Sequence, residues 1–336
     1  MKKAILLLCI IAAILPIASC EETEIKTQSR VFFDCFDTVG TFYDYSGMSD
    51  DEFKKVADKV EDILFEYHKL YDIYNEYEGV TNLASINKNA GGGPQKVDKR
   101  IIDMLLYSKE MYELTNGRVN VCMGSVLKIW HNFREEKATE LPSEEELAQA
   151  NKYTDINNLI IDAENLTVEI KDPLTVLDVG AIAKGYAVEM TAAWLEAQGY
   201  SGQVLDVGGN LRAIGTKPSG DGWTAGVRNP GIATLDSYVY KFNLKNEALV
   251  TSGSYERYHT VGGIRYHHII NNETLMPENY YLSVSVKSDS SALSDALSTA
   301  VLNMKYEEAE AFVKGMKNIT VVFVLPSSEV RAVEGK

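Results

Sequence analysis

Residues 31–336 interleave strand-like and helix-like stretches without the regular strand–helix–strand alternation that a parallel sheet requires. That irregular mixture is the strongest constraint on the fold. It predicts an α+β chain, with mainly antiparallel sheets packed with helices, in a single domain over 31–336. Aromatic and β-branched residues over 31–46 read as strand. Ser49 and Glu52 form a capping-box pair, S-x-x-E. Behind it, Phe53, Val56, Val60, Ile63, Leu64, Tyr67 and Leu70 recur at helical spacing. An aromatic, Asn-rich loop and the flexible turn 90–94 follow. A second amphipathic helix over 98–115 stops at Asn116-Gly117. Residues 117–135 are mixed, and 131–142 read as a surface loop. Ser143 caps a third helix, and 159–170 alternate as a strand pair around 162–165. Beyond them come a strand–turn–helix over 174–190, strands and turns to about 277, helices over 292–305 and 306–316, and a last strand near 319–325.

The first 20 residues stand apart. Lys2 and Lys3 precede an apolar run from Ala4 to Pro16 that is too short to span a bilayer comfortably. It ends in Ile17-Ala18-Ser19-Cys20, which resembles a bacterial lipobox. The expectation is a signal peptide over 1–19, a lipid on the thiol of Cys20, a polar tether over 20–30, and a domain on the outer face of the cell membrane. The net charge of −15 argues against a nucleic-acid partner, because phosphate backbones need a basic surface. Of the four cysteines, Cys9 leaves with the signal and Cys20 carries the lipid. Cys35 and Cys122 are far apart with no metal-ligand spacing, and read as small buried apolar residues.

Four constellations carry chemistry. At 178–186 an apolar strand ends in Asp178, and small residues then open a helix. Unpaired amides at such a start favour phosphate, and Lys184 adds positive charge; the alternative is a tight strand–helix packing turn. Asp295 and Thr299 lie four residues apart on one helix, with Ser298 beside them. Their oxygens suit Mg²⁺, although a cap or dipole partner is the plainer reading of such an Asp. His267 and His268 sit in a strand-like run, where at most one can point into a given face. Finally, Gly208-Gly209 after Asp206 marks either a close backbone approach or a hairpin turn.

Together, the runs 178–189 (DVGAIAKGYAVE), 205–215 (LDVGGNLRAIG), 249–258 (LVTSGSYERY), 266–277 (YHHII followed by TLMP) and 294–300 (SDALSTA) resemble the FAD:protein FMN transferases, the ApbE-type flavin transferases. The resemblance covers about 33–325. It implies a T-fold-like core, FAD as substrate, Mg²⁺ as cofactor, and transfer of FMN to a Ser or Thr hydroxyl of a client protein. The implied clients are extracytoplasmic redox and electron-transfer proteins. It places Asp178 and Lys184 near the FAD phosphates, and Thr251, Ser252 and Gly253 in a loop beside them. The Ala181 carbonyl, Asp295, Thr299 and Ser298 would hold Mg²⁺. Tyr74 falls at a flavin or adenine contact, His268 is the candidate base, and Ile269 and Ile270 line the isoalloxazine.

The chain departs from the pattern twice. Arg118, Val119 and Asn120 stand at cofactor-contact positions where the family writes Ala-Phe-Asp. Asn271-Asn272 stands where it writes Asp-Pro, so a carboxylate becomes an amide. Two alternatives share the FAD site: a pyrophosphatase giving FMN and AMP, and a non-catalytic FAD-binding lipoprotein, which Asn271 favours. An interaction domain without cofactor is the third.

Overall fold

The computed structural model describes residues 26–230 and 238–336. The signal peptide and Cys20 therefore lie outside the described residues. The chain opens with a hairpin of β1 (Gln28–Cys35) and β2 (Thr38–Asp44). The single strand expected over 31–46 is thus two, folded back through Asp34, Phe36 and Asp37, all of positive φ. Since β1 starts at Gln28, residues 28–30 belong to the sheet rather than to the tether. Helix α1 (Asp50–Tyr71) is capped by Ser49, whose side chain accepts from the Glu52 amide. It turns its apolar stripe, Phe53, Val56, Val60, Leu64 and Tyr67, into the core. The Asn-rich loop contains a short helix, α2 (Leu83–Lys88), that local propensity did not announce.

Next come β3 (Gln95–Lys96), α3 (Lys99–Leu114), α4 (Gly124–Glu135) and α5 (Glu144–Asn151). Helix α4 runs to Glu135, so the loop expected from 131 begins later. Strands β4 (Leu159–Asp162) and β5 (Thr167–Ile170) pair as expected, and β3 adds to β5. The strand expected at 174–178 is only an isolated parallel bridge between Val176 and Met123. Helix α6 (Ala183–Ala197) leads to β6 (Gln203–Val207), β7 (Asn210–Ile214), β8 (Trp223–Arg228), β9 (Tyr238–Leu244) and β10 (Ala248–Gly253). A small hairpin of β11 (Tyr258–Val261) and β12 (Ile264–His267) follows. The chain closes through β13 (Ser283–Ser288), α7 (Ser291–Leu302), α8 (Tyr306–Lys314), β14 (Thr320–Val324) and β15 (Val330–Glu334).

Eight strands form the main sheet in the order β1-β2-β6-β7-β10-β13-β14-β15, and every ladder in it is antiparallel. The expected α+β class is what the molecule adopts. The middle of the sheet is buried on both faces, and alternation along single strands shows it. On β14, Val321 and Phe323 join the main core with α1, α6 and α7, while Val322 and Val324 join a second core under β8 and β9. A strand covered on both sides has no polar face, which is why 319–325 read as one apolar run. A third cluster, Trp130, Phe133, Leu147, Ile270 and Leu275, fastens α4 and α5 to the segment after β12. Cys35 and Cys122 are free and buried, and burial pushes both thiols up to about 12. Among the described residues no helix is long and apolar enough to cross a membrane.

Candidate functional site

The start of α6 meets the middle of α7 at unusually short range. Gly185 makes this possible: a Cβ there would lie 2.4 Å from the Asp295 Cβ and 2.6 Å from the Ser291 carbonyl oxygen. With no side chain in the way, the Gly185 amide donates to Asp295 Oδ2 at 2.7 Å, joining residues 110 apart in the chain. Glu189 Oε2 accepts from the Ser291 amide at 2.6 Å, which ties the first turn of α7 to α6 as well. Lys184 donates to the Gly208 carbonyl at 2.9 Å and so fixes the β6–β7 turn beside the same helix start. Gly208 and Gly209 both have positive φ, and the hairpin-turn reading of that motif is the one the structure adopts.

This side of the site is rich in buried negative charge. Burial raises the Asp295 carboxyl above its ordinary value, opposed by Lys184, the Gly185 amide and the neighbouring Asn210 amide. Asp206 is raised by burial too, against the Gly209 amide, Lys184 and Arg228. A buried carboxylate whose one close cation is already bonded elsewhere is a poor structural group and a good cation ligand. Thr299 follows Asp295 by one turn on α7, so hydroxyl and carboxylate share a face. Ser298 is engaged: its hydroxyl lies 2.7 Å from Ser252 Oγ and donates to the Asp295 carbonyl at 2.9 Å. Thr251, Ser252 and Gly253 form the end of β10, paired with β13, rather than the loop expected there. Among the described residues no three or more acidic, His or Cys side chains are grouped so that they could hold a metal ion. A metal here would rest on Asp295 together with hydroxyl and carbonyl oxygens, including that of Ala181, which is the hard donor set Mg²⁺ accepts.

The opposite side is positive. Asp178 stands at the seam, its Oδ1 accepting from the Gly180 amide at 2.9 Å. Burial raises its carboxyl, and the Gly180 amide, His131 and Arg134 pull it back. Tyr74, 63% exposed, lies against His131 with ring centroids 5.5 Å apart. The two adjacent histidines divide, His267 ending β12 and His268 lying one residue past it. His267 is fully buried, with Nε2 bonded to the Glu278 carbonyl and Nδ1 accepting from the Ile269 amide. It is a structural group. His268 Nδ1 is buried with no hydrogen-bond partner. Burial, Arg134, His267 and Arg257 hold this imidazole down to about 3, so it is neutral at ordinary pH.

Other expected site residues have their side chains occupied. Arg118 pairs with Glu273 at 3.1 Å and with Glu308. Val119 lies in the core. Asn120 donates to the Thr154 carbonyl at 2.8 Å and accepts from the Cys122 amide at 2.9 Å. The segment still borders the site, since the Asp178 amide donates to the Val121 carbonyl at 2.8 Å. Ile269 packs in the main core and Ile270 in the α4 cluster. Asn271 is a turn holder: Oδ1 accepts from the Glu273 and Thr274 amides, and Nδ2 donates to the Asn303 carbonyl at 3.0 Å. An aspartate could accept those two amide bonds but could not make the third.

A family model described as the ApbE family matches residues 39–323. The chain belongs to the ApbE family. Among curated relatives it is 31% identical over 268 residues to the FAD:protein FMN transferase of Treponema pallidum, covering 75% of this chain and 73% of that one. It is 26% identical over 325 residues to that of Vibrio cholerae, covering 95% and 93%. Its fold is similar to the crystal structure of the ApbE protein of Thermotoga maritima, with a TM-score of 0.81 and 25% identity over 92% of this chain and 97% of that one. The Vibrio cholerae flavin transferase ApbE superimposes with a TM-score of 0.75 at 23% identity, over 93% and 98%. In this member of the ApbE family, the sequence singles out Asp178, Asp295 and Thr299 but not His131, Arg134 or Arg257. His131 and Arg134 fall in a stretch that reads as a surface loop, and Arg257 in a run of strands and turns.

Proposed function

We propose that this chain is an FAD:protein FMN transferase that uses Mg²⁺ and modifies client proteins outside the cytoplasmic membrane. The observation that carries the reading is the bond from Gly185 to Asp295, which sets a helix start beside a buried carboxylate. Lys184 at the start of α6 suits phosphate oxygens, and Asp295, Thr299 and the Ala181 carbonyl suit a divalent cation between them and the dinucleotide. Bound there, Mg²⁺ would neutralise charge on the diphosphate. A client Ser or Thr hydroxyl attacks the phosphorus of the FMN half, the P–O bond to the AMP half breaks, and AMP leaves. His268, neutral and with Nδ1 unpartnered, is the candidate acceptor of the hydroxyl proton. The burial and cations that hold its pKa down make it a weak base, and the negative charge of a bound diphosphate would strengthen it. Asn271, the departure that favoured a binding protein without activity, holds a turn and touches no part of this chemistry. The run ending at Cys20 supports a lipid anchor, and with it an extracytoplasmic location and redox proteins as clients.

Incubation with FAD, Mg²⁺ and a Thr-bearing client peptide, followed by mass spectrometry, tests the reading. The peptide should gain FMN, and EDTA should abolish the gain. FMN and AMP with an unmodified peptide would make the chain a hydrolase; intact FAD would make it a carrier.

A further inference from the structure

Arg134 is set apart from the other well-buried arginines. Arg212 is held by Glu189 and Glu196, and Arg118 by Glu273 and Glu308. Arg134 Nη1 is buried and meets no acceptor. Its place is fixed from behind. Trp130, one turn earlier on α4, donates through Nε1 to the Leu275 carbonyl at 2.8 Å, and Phe133 packs edge-on against Tyr266 and His259. Trp130 and Phe133 are buried in the α4 cluster, and Arg134, one turn after Trp130 and three residues after His131, lies at the border between that buried face and the one that carries His131. On that second face His131 meets Tyr74. Tyr74, Glu135 (its chain neighbour), Arg257 and Asp178 are the groups whose charge Arg134 feels, and His268 in turn feels Arg134. Burial also makes the charged guanidinium harder to hold, as for a cation that lacks its counter-ion. No hydrogen bond or ion pair joins Arg134 to Asp178, whose Oδ1 accepts from Gly180.

A partly buried guanidinium whose Nη1 is buried without an acceptor calls for an anion from outside the chain. Within FAD the diphosphate is anionic and the isoalloxazine is neutral. We propose that Arg134 is a phosphate-binding residue of this site, its guanidinium taking an oxygen of the FMN phosphate from the side opposite Asp295. This rests on the FAD reading and adds a contact that the family resemblance does not supply.

The test compares FMN with riboflavin, which differ by the phosphate alone, on metal-free protein by flavin-fluorescence titration. Arg134→Gln should weaken FMN binding about tenfold or more and leave riboflavin within about twofold. Arg134→Lys should recover part of the loss, since it restores charge without the planar fork. Thermal midpoints of both variants should match or exceed the wild type, because no protein acceptor is lost. Equal weakening of FMN and riboflavin would assign Arg134 to the ring and overturn the proposal. Unchanged FMN binding, or a midpoint several degrees lower, would do the same. A wild-type protein that binds neither flavin would sink the FAD reading and this proposal with it.

Discussion

The two sides of the site are built from opposite materials. The α6–α7 side is made of small residues, Ala183, Gly185, Ala187, Ala292, Ala296 and Ala300, which let two helices close over the Asp295 carboxylate. The α4 side is made of aromatic bulk, Trp130, Phe133 and Tyr266, which lifts His131 and Arg134 off the core. One side buries anions short of cations, and the other buries a cation short of an anion. Neither is a good way to stabilise an empty protein. Side by side they are complementary to a metal–phosphate pair, and the difference between them predicts which variants should separate metal from flavin.

Truncating the aromatic side should have the largest effect. Trp130→Ala removes the most voluminous of the fully buried side chains together with its bond to the Leu275 carbonyl. A loss of about 3–5 kcal/mol is expected in urea unfolding. Flavin binding should fall with it while Mg²⁺ affinity, read by calorimetry, stays; loss of both together would mean that the two sides are not independent. On the acidic side, Asp295→Asn should lower FMN transfer by about a hundredfold or more, roughly 3 kcal/mol. The amide also removes a buried charge, so the metal-free variant should melt no lower than wild type. A variant that melts well below it would show that the carboxylate is structural.

A pH series separates the sides by sign. His267 and His268 are held below their unfolded value of 6.5. Stability from their neutral forms is complete above 6.5 and is lost as pH falls toward the folded values, because the unfolded chain then binds more protons. The slope is about 1.4 kcal/mol per pH unit for each histidine. Asp178 and Asp295, raised above 3.8, act with the opposite sign at lower pH. The signature is clearest just below 6.5, and His268→Gln should flatten part of it. If the urea midpoint is the same at about pH 7 and about pH 5.5, the buried neutral imidazoles are refuted. The smallest effect belongs to Asn271→Asp. It loses the donor to the Asn303 carbonyl and should destabilise by about 1–3 kcal/mol without gaining activity. A faster enzyme would restore the lost carboxylate to the chemistry.

Much of the acidic side was legible in the sequence, because its geometry is local. Asp295 and Thr299 need only a helix to share a face, and the Ser49 and Ser143 caps need only their own first turns. The hairpin at 34–38 was not legible: Asp34, Phe36 and Asp37 take positive φ with no Gly or Asn to mark the turn. Neither was the role of Arg134, because whether a polar side chain on α4 faces solvent or a buried seam depends on a Trp130–Leu275 contact 145 residues long. The roles of Arg118 and Asn271 were hidden likewise, since each is decided by distant partners, Glu308 and Asn303.

Those long spans set the order of events in the life of the chain. The residues proposed to hold metal and phosphate lie as far apart as Asp178 and Thr299, and the sheet beside them closes only with β13 and β14, late in the sequence. No nascent fragment owns half a working site, because the α6 start has no carboxylate to meet until α7 is made. Contacts of such sequence separation form late and slowly. Assembly of the proposed site therefore follows completion of the chain.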